Sequence, residues 1–323
     1  MTGRKSEISI HRRWPAAALP FGLLLTAACD SGAAADSEED VRIVGSATIE
    51  PISRIAVRES GVEADVSGRG TLAGLEDFCA GEADIANASI RMPGSDAPEG
   101  VEDLRAACED SGVEFVELPI GYDALSVIVN TANEDVTDVT MDELGEIWTQ
   151  DSSVETWSDL RDDWPDEEIA LYGRSEDSGT YTHFAEELFG DPEEFSDDYL
   201  EEDGLDELAE LVSEDDYSMA FMGVGNYLAA PEEVQPDIKT VAVDDVPPDA
   251  LSSAEGEYPL VRTLYTYIAV ESLEEDGDVE AYAERLLSDG RSILPRAFFY
   301  PLSPEDYEDA QERLESRETG VDE

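Results

Sequence analysis

From residue 41 onward, short runs rich in β-branched residues alternate with segments whose apolar residues fall at helical spacing. That alternation narrows the fold to βα units around a largely parallel sheet. The run VRIVGS (41–46) leads into ATIEPISRIAVRES, where Pro51 suits a first helical position and Ile52, Ile55 and Ala56 share a helix face. VEADVSG and DIANAS read as the next two strands, followed by the helices TLAGLEDFCAG and, after a loop, VEDLRAACEDSG. The stretch VEFVELPIGYDALSVIVN (113–130) holds two extended runs with no turn cluster between them, as expected of a chain passing from one lobe to another. MDELGEIW, VETWSDL and the strand IALYG then open a second lobe. GLDELAELV is helical in spacing, SMAFMGVGNYL and IKTVAV are strand candidates, and DDVPPDALSSAEGEYP reads as a return connection. LYTYIAV and helices near 278–288 and 304–317 complete the first lobe.

Three of the strand-to-helix junctions carry hydroxyls and glycine: GSATIEP (45–51), SGRGT (67–71) and RSEDSGT (174–180). A helix start leaves backbone N–H groups without partners and bears partial positive charge, so each junction can hold an anion's oxygens. Ser, Thr and Gly are also ordinary capping and turn residues, which is the competing reading at any single junction. Three together, the last preceded by Arg174, favour an anion site.

Such a site stands out against the chain's charge. Its 19 Lys+Arg against 80 Asp+Glu give a formal net charge of −61 over 323 residues. Nucleic acid is excluded as a partner on that balance. The acids recur along nearly every segment after residue 36 and read as a solvated shell, an adaptation to high salt, where a Debye length of about 3 Å at 1 M screens the self-repulsion. An anion can still bind where local dipoles and one or two arginines outweigh screened, remote carboxylates.

Residues 1–28 read as an export signal, with Arg4, Lys5, Arg12 and Arg13 ahead of the apolar run WPAAALPFGLLLTAAC. HRRWP resembles a twin-arginine signal and LLTAAC a lipobox, which makes Cys29 the expected lipid attachment and residues 29–40 a flexible acidic tether. The alternative is a chance arginine pair in an ordinary cleaved leader; on either reading the protein leaves the cytoplasm. Cys79 and Cys108 remain in the exported chain as a candidate disulfide, with two buried free thiols as the alternative.

The motifs GSATIEPIS, SGRGTLAGLEDFCAGEADIANASIR, ELPIGYDALSVIVN, LYGRSEDSGTYTHF, EYPLVRTLYTYI and FFYPLSPEDYEDAQERLESRETG follow the order and spacing of the phosphate-binding proteins of ATP-driven phosphate importers, the PstS/SphX type, over almost all of residues 41–320. The resemblance implies an α/β type II periplasmic-binding-protein fold: two lobes, each a mostly parallel sheet flanked by helices, joined by two crossover strands. Lobe I would comprise 41–124 plus 245–323 and lobe II 125–244, hinged near 122–126 and 242–248. It also implies that Ser46, Thr48 and Ile49, then Ser67, then Arg174, Ser178, Gly179 and Thr180 surround the oxyanion, with Ser89 beside them. In one branch of the family an aspartate in the turn after the third strand accepts the proton of phosphate. Here that turn reads Asn87, Ala88, Ser89, Ile90, Arg91 and lacks the acid. Asp123 is the candidate to replace it, Asp177 a weaker one; a turn-capping carboxylate is the other reading of Asp123.

Other chemistry fares worse. His183 is the only histidine after the leader and is expected to be a partly exposed helix residue, which leaves zinc clusters and histidine triads without material. Trp148, Trp157 and Trp164 are expected in packing, and Arg91 and Arg262 either line the cleft or pair with nearby acids. The expected protein is therefore a monomeric, lipid-anchored receptor on the outer face of the membrane, without metal or cofactor. It would capture inorganic phosphate and pass it to the permease and ATPase of an ABC importer. The alternatives are a receptor for sulfate, molybdate or tungstate, or an anchored phosphate-ester hydrolase.

Overall fold

The computed structural model describes residues 40–95, 97, 102–176, 178–190 and 194–321. The expected export signal, Cys29, nearly all of the tether and Asp177 lie outside the described residues. Three strand–helix units open the chain: β1 (Val41–Gly45) and α1 (Glu50–Ser60), β2 (Ala64–Ser67) and α2 (Thr71–Cys79), β3 (Ile85–Ala88) and α3 (Leu104–Ser111). Pro51 lies in the first turn of α1, whose face of Ile52, Ile55 and Ala56 is buried, and Gly61 ends the helix at φ 78°. The disulfide reading of the cysteines is the one the structure contains, Cys79 to Cys108, joining the end of α2 to α3.

A single 16-residue strand, β4 (Phe115–Asn130), makes the first crossing. The second lobe follows with β5 (Asp138–Val139), α4 (Met141–Trp148), α5 (Trp157–Leu160), β6 (Ala170–Gly173), α6 (Gly179–Phe189), β7 (Leu200–Glu201), α7 (Leu205–Glu214), β8 (Ser218–Gly223), α8 (Val224–Ala229), β9 (Ile238–Thr240), β10 (Ala242–Val243) and α9 (Ala250–Ala254). The chain returns through β11 (Val261–Ala269), then α10 (Val270–Glu275), α11 (Gly277–Ser288), α12 (Gly290–Arg296), β12 (Tyr300–Pro301) and α13 (Pro304–Ser316).

Among the described residues one 10-stranded sheet runs β2-β1-β3-β11-β4-β8-β6-β7, with β9 and β12 also paired to β4. Its flanks are parallel, β1 with β2 and β3, and β6 with β8 and β7, while the centre from β3 through β11 and β4 to β8 is antiparallel. Alternation along the strands fills a core on each face of each half. Ile43 and Val44 enter different clusters in the first lobe, and Val127 and Ile128 do so in the second. Trp148, Trp157 and Trp164 pack in the second-lobe core, as expected.

Three sequence expectations change. SMAFMGVGNYL is strand only to Gly223; the β4 pairing ends at Leu125–Gly223, and Gly225 must lie so close to Phe298 that a Cβ would collide with its backbone. The return connection contains a helix, α9, capped by Asp249 through the N–H groups of Leu251 and Ser252. Finally, residues 242–248 do not form the return hinge. Ala242 and Val243 pair with β5, Asp244 and Asp245 turn the chain at positive φ, and Tyr258 and Leu260 are still buried in the second-lobe core. The return crossing lies between Leu260 and Leu264, the first residue back in the first-lobe core. On the forward strand, Ile120 belongs to one core and Ala124 to the other.

Candidate anion-binding cleft

The carboxyl ends of β1, β2 and β3 meet the starts of α1 and α2 in direct backbone contact. Gly45 sits at φ 122°, and a Cβ there would collide with the Asn87 carbonyl; Gly74 on α2 packs against Gly45 just as tightly. Only glycine permits both approaches. Ser46 N–H donates to the Asn87 carbonyl (2.8 Å) and Gly70 N–H to the Gly45 carbonyl (2.9 Å), which ties the first two junctions together. Ser67 lies in register with Val44, next to Gly45. From the third strand, Ser89 Oγ stands 3.1 Å from Thr71 Oγ1 at the head of α2. Thr71 was not singled out from the sequence, although it follows the SGRG loop directly.

Within the first junction, Ser46 Oγ accepts the Thr48 N–H (3.2 Å) and its carbonyl accepts from Ile49 and Glu50 (3.2 Å each). The Ile49 side chain is fully buried in the core, so what it can offer a ligand is backbone. At the third junction Ser178 caps α6, its Oγ accepting the Thr180 N–H at 3.2 Å. Capping and anion-site geometry therefore coexist at these loops; a hydroxyl that accepts one bond still has its own hydrogen to donate.

The two lobes meet at these loops. A Cβ placed on Gly179 would stand 3.5 Å from Thr48 Oγ1, so the head of α6 in the second lobe faces the head of α1 in the first. Both helices present N-termini across the gap. Arg174 follows β6; its Nε donates to Asp203 Oδ1 (3.2 Å), and its carbonyl accepts the Tyr199 hydroxyl (2.8 Å). Hydrogen bonds from the side chain and N–H of Ser175, with a smaller contribution from Arg174, hold Asp203 below the usual carboxylate range.

Beside Ser89 the interlobe gap continues as a cleft of about 240 Å³, lined by Ser89 and Arg91 from one side and by His183 with the acids Glu186 and Glu187 from the other, with Arg262 and Tyr265 on β11. Arg262 donates Nε (3.0 Å) and Nη2 (2.9 Å) to Asp123 Oδ2, and Arg91 donates Nε (3.0 Å) and Nη2 (2.7 Å) to the buried Glu117. Both arginines thus line the cleft and pair with acids. The hydrogen bond to Glu117 raises the pKa of Arg91 further. His183 is not partly exposed as expected but 1 % exposed, because its face of α6 is covered where the lobes meet. Asp123 is brought into this adjoining cleft rather than among the helix starts.

Comparison with known proteins is consistent with this geometry. A family model described as PBP superfamily domain matches residues 31–289. The chain belongs to the PBP superfamily. Its relatives include Protein SphX of Synechocystis sp., 30% identical over 303 residues, covering 90% of this chain and 86% of that protein. The phosphate-binding protein PstS of Staphylococcus saprophyticus is 27% identical over 307 residues, covering 90% of each. Among solved structures, a possible phosphate binding protein from Planctomyces limnophilus superposes with a TM-score of 0.72 at 28% identity, covering 86% of this chain and 98% of that one. This PBP superfamily member is thus similar to binding proteins of the SphX and PstS type rather than to hydrolases.

Proposed function

We propose that the chain is an extracytoplasmic receptor that closes its two lobes around inorganic phosphate and delivers it to the permease and ATPase of an ABC importer. The observation that carries this reading is the placement of Gly179, at the head of α6, opposite Thr48, at the head of α1, across the interlobe gap. In this reading the ion sits among Ser46, Thr48, the Ile49 backbone, Ser67, Ser89, Arg174, Ser178, Gly179 and Thr180, while Asp123 contributes through Arg262. An ion touching both lobes favours the closed arrangement over the open one by the difference in its contacts. The names of the relatives support phosphate as the ion: PstS is called a phosphate-binding protein, and a Vibrio cholerae structure of the same fold is described as an ABC-type phosphate transport receptor. No helix among the described residues is long and apolar enough to cross a membrane. From the sequence LLTAAC we assign attachment to a lipid on Cys29, with residues 29–40 as tether.

Titration calorimetry of the purified chain in molar KCl against phosphate, sulfate and molybdate tests the reading. Phosphate should bind with a Kd of about 1 μM or tighter, close to −8 kcal/mol. Tighter binding of sulfate or molybdate would reassign the ligand, and absence of binding to all three would remove the function.

A further inference from the structure

Asp123, Arg262 and His183 form a buried polar group beside the helix starts. Arg262 comes from β11 at the return crossing and Asp123 from β4 at the forward one, so both stand where the lobes hinge. The Arg262 side chain is 13% exposed, and Nε and Nη2 both donate to one oxygen of Asp123, which fixes the plane of the guanidinium. Such a pair commits two of the nitrogens and leaves the N–H groups of Nη1 for another acceptor.

His183 lies on α6 four residues past Gly179, one turn along the helix face that meets Thr48. Neither of its buried ring nitrogens has a hydrogen-bond partner. Asp123 Oδ2 is 3.8 Å from Nδ1 and Glu187 Oε1 is 3.7 Å from Nε2, both just out of reach. Buried polar atoms left in this way are rare, and each is costly unless a ligand or water supplies the missing bond. Burial, aided by the nearby Arg262 charge, holds the ring well below its ordinary pKa of 6.5, so at neutral pH it offers one donor and one acceptor.

Arg262 and His183 line the same cleft as Ser89, whose hydroxyl meets the head of α2. We infer that these two side chains, anchored by Asp123, form a further wall of the anion site: Arg262 donates to the bound oxyanion through Nη1, and the neutral imidazole of His183 hydrogen-bonds the ion's protonated oxygen. The inference rests on the phosphate reading above. It moves the proton-accepting role from Asp123, whose Oδ2 is committed to Arg262, to an uncharged group, with the Glu187 carboxylate 3.7 Å from its Nε2.

Two measurements on the full chain in molar KCl test it. In the first, ring ¹⁵N signals are followed by NMR during phosphate titration, with His183 assigned by the loss of its signals in His183→Gln; they should shift in step with binding. In the second, the double variant Asp123→Asn with Arg262→Gln removes both charges together, so no buried ion is left unpaired. It should fold and bind phosphate about 10- to 150-fold more weakly, as expected for one lost bond to a charged group. If that variant does not fold, the NMR titration decides alone. Phosphate binding by the wild-type chain with His183 signals unmoved, or with full affinity in a folded double variant, would overturn the inference and leave the phosphate reading standing. A wild-type chain that binds no phosphate would remove that reading first.

Discussion

Arg174 enters the proposed site already oriented, with Nε on Asp203 and its carbonyl on Tyr199. Its other N–H donors can meet an anion with little further ordering. Arg174→Ala should therefore weaken phosphate binding by about 1.5–3 kcal/mol, roughly 10- to 150-fold in Kd by calorimetry. Fold stability should change little, since Asp203 is 58% exposed and remains hydrated. Glu176→Ala, at an exposed neighbouring position, should bind as the parent does. Equal losses in the two variants would remove Arg174 from the site. At this scale the hydroxyls and glycines of the junctions were legible, because helix starts demand those residue types locally. His183 was not. A lone histidine in a polar-looking stretch gives no sign of burial, and what covers it is packing between segments far apart in the chain.

Most of the elements were legible for the same reason of locality. β1, β2 and β3 with their helices follow periodicity and capping that a short window contains, and the long β4 announces itself by the missing turn between its two halves. The failures lie where a distant partner decides. SMAFMGVGNYL bends into α8 after its pairing with β4 ends, and the stretch read as a return connection winds into α9 before the chain crosses back. The disulfide between α2 and α3 belongs to this scale as well. It closes a separation of 29 residues, and by restricting the unfolded chain it should contribute about 3–4 kcal/mol. Paired Cys79→Ser and Cys108→Ser substitutions should lower the unfolding free energy from denaturant titration by that much, with a lower midpoint, measured against the oxidised parent. An unchanged midpoint would mean that the link adds no constraint.

For the whole molecule, the point of interest is how a chain of formal charge −61 can take up an anion. The answer lies in distance. At molar salt the acidic shell acts over only about 3 Å, while the helix starts and guanidinium groups act within hydrogen-bond reach. The account requires those groups, contributed by two lobes, to converge on one ion, and the approach of Gly179 to Thr48 is the contact that makes convergence possible. The direct test is a crystal structure of the chain grown in molar salt with phosphate. A tetrahedral ion should lie between the heads of α1 and α6, within hydrogen-bond distance of Thr48 and Thr180 and of the Arg174 guanidinium. An ion held by one lobe alone, or density only at sites away from these helix starts, would contradict the account.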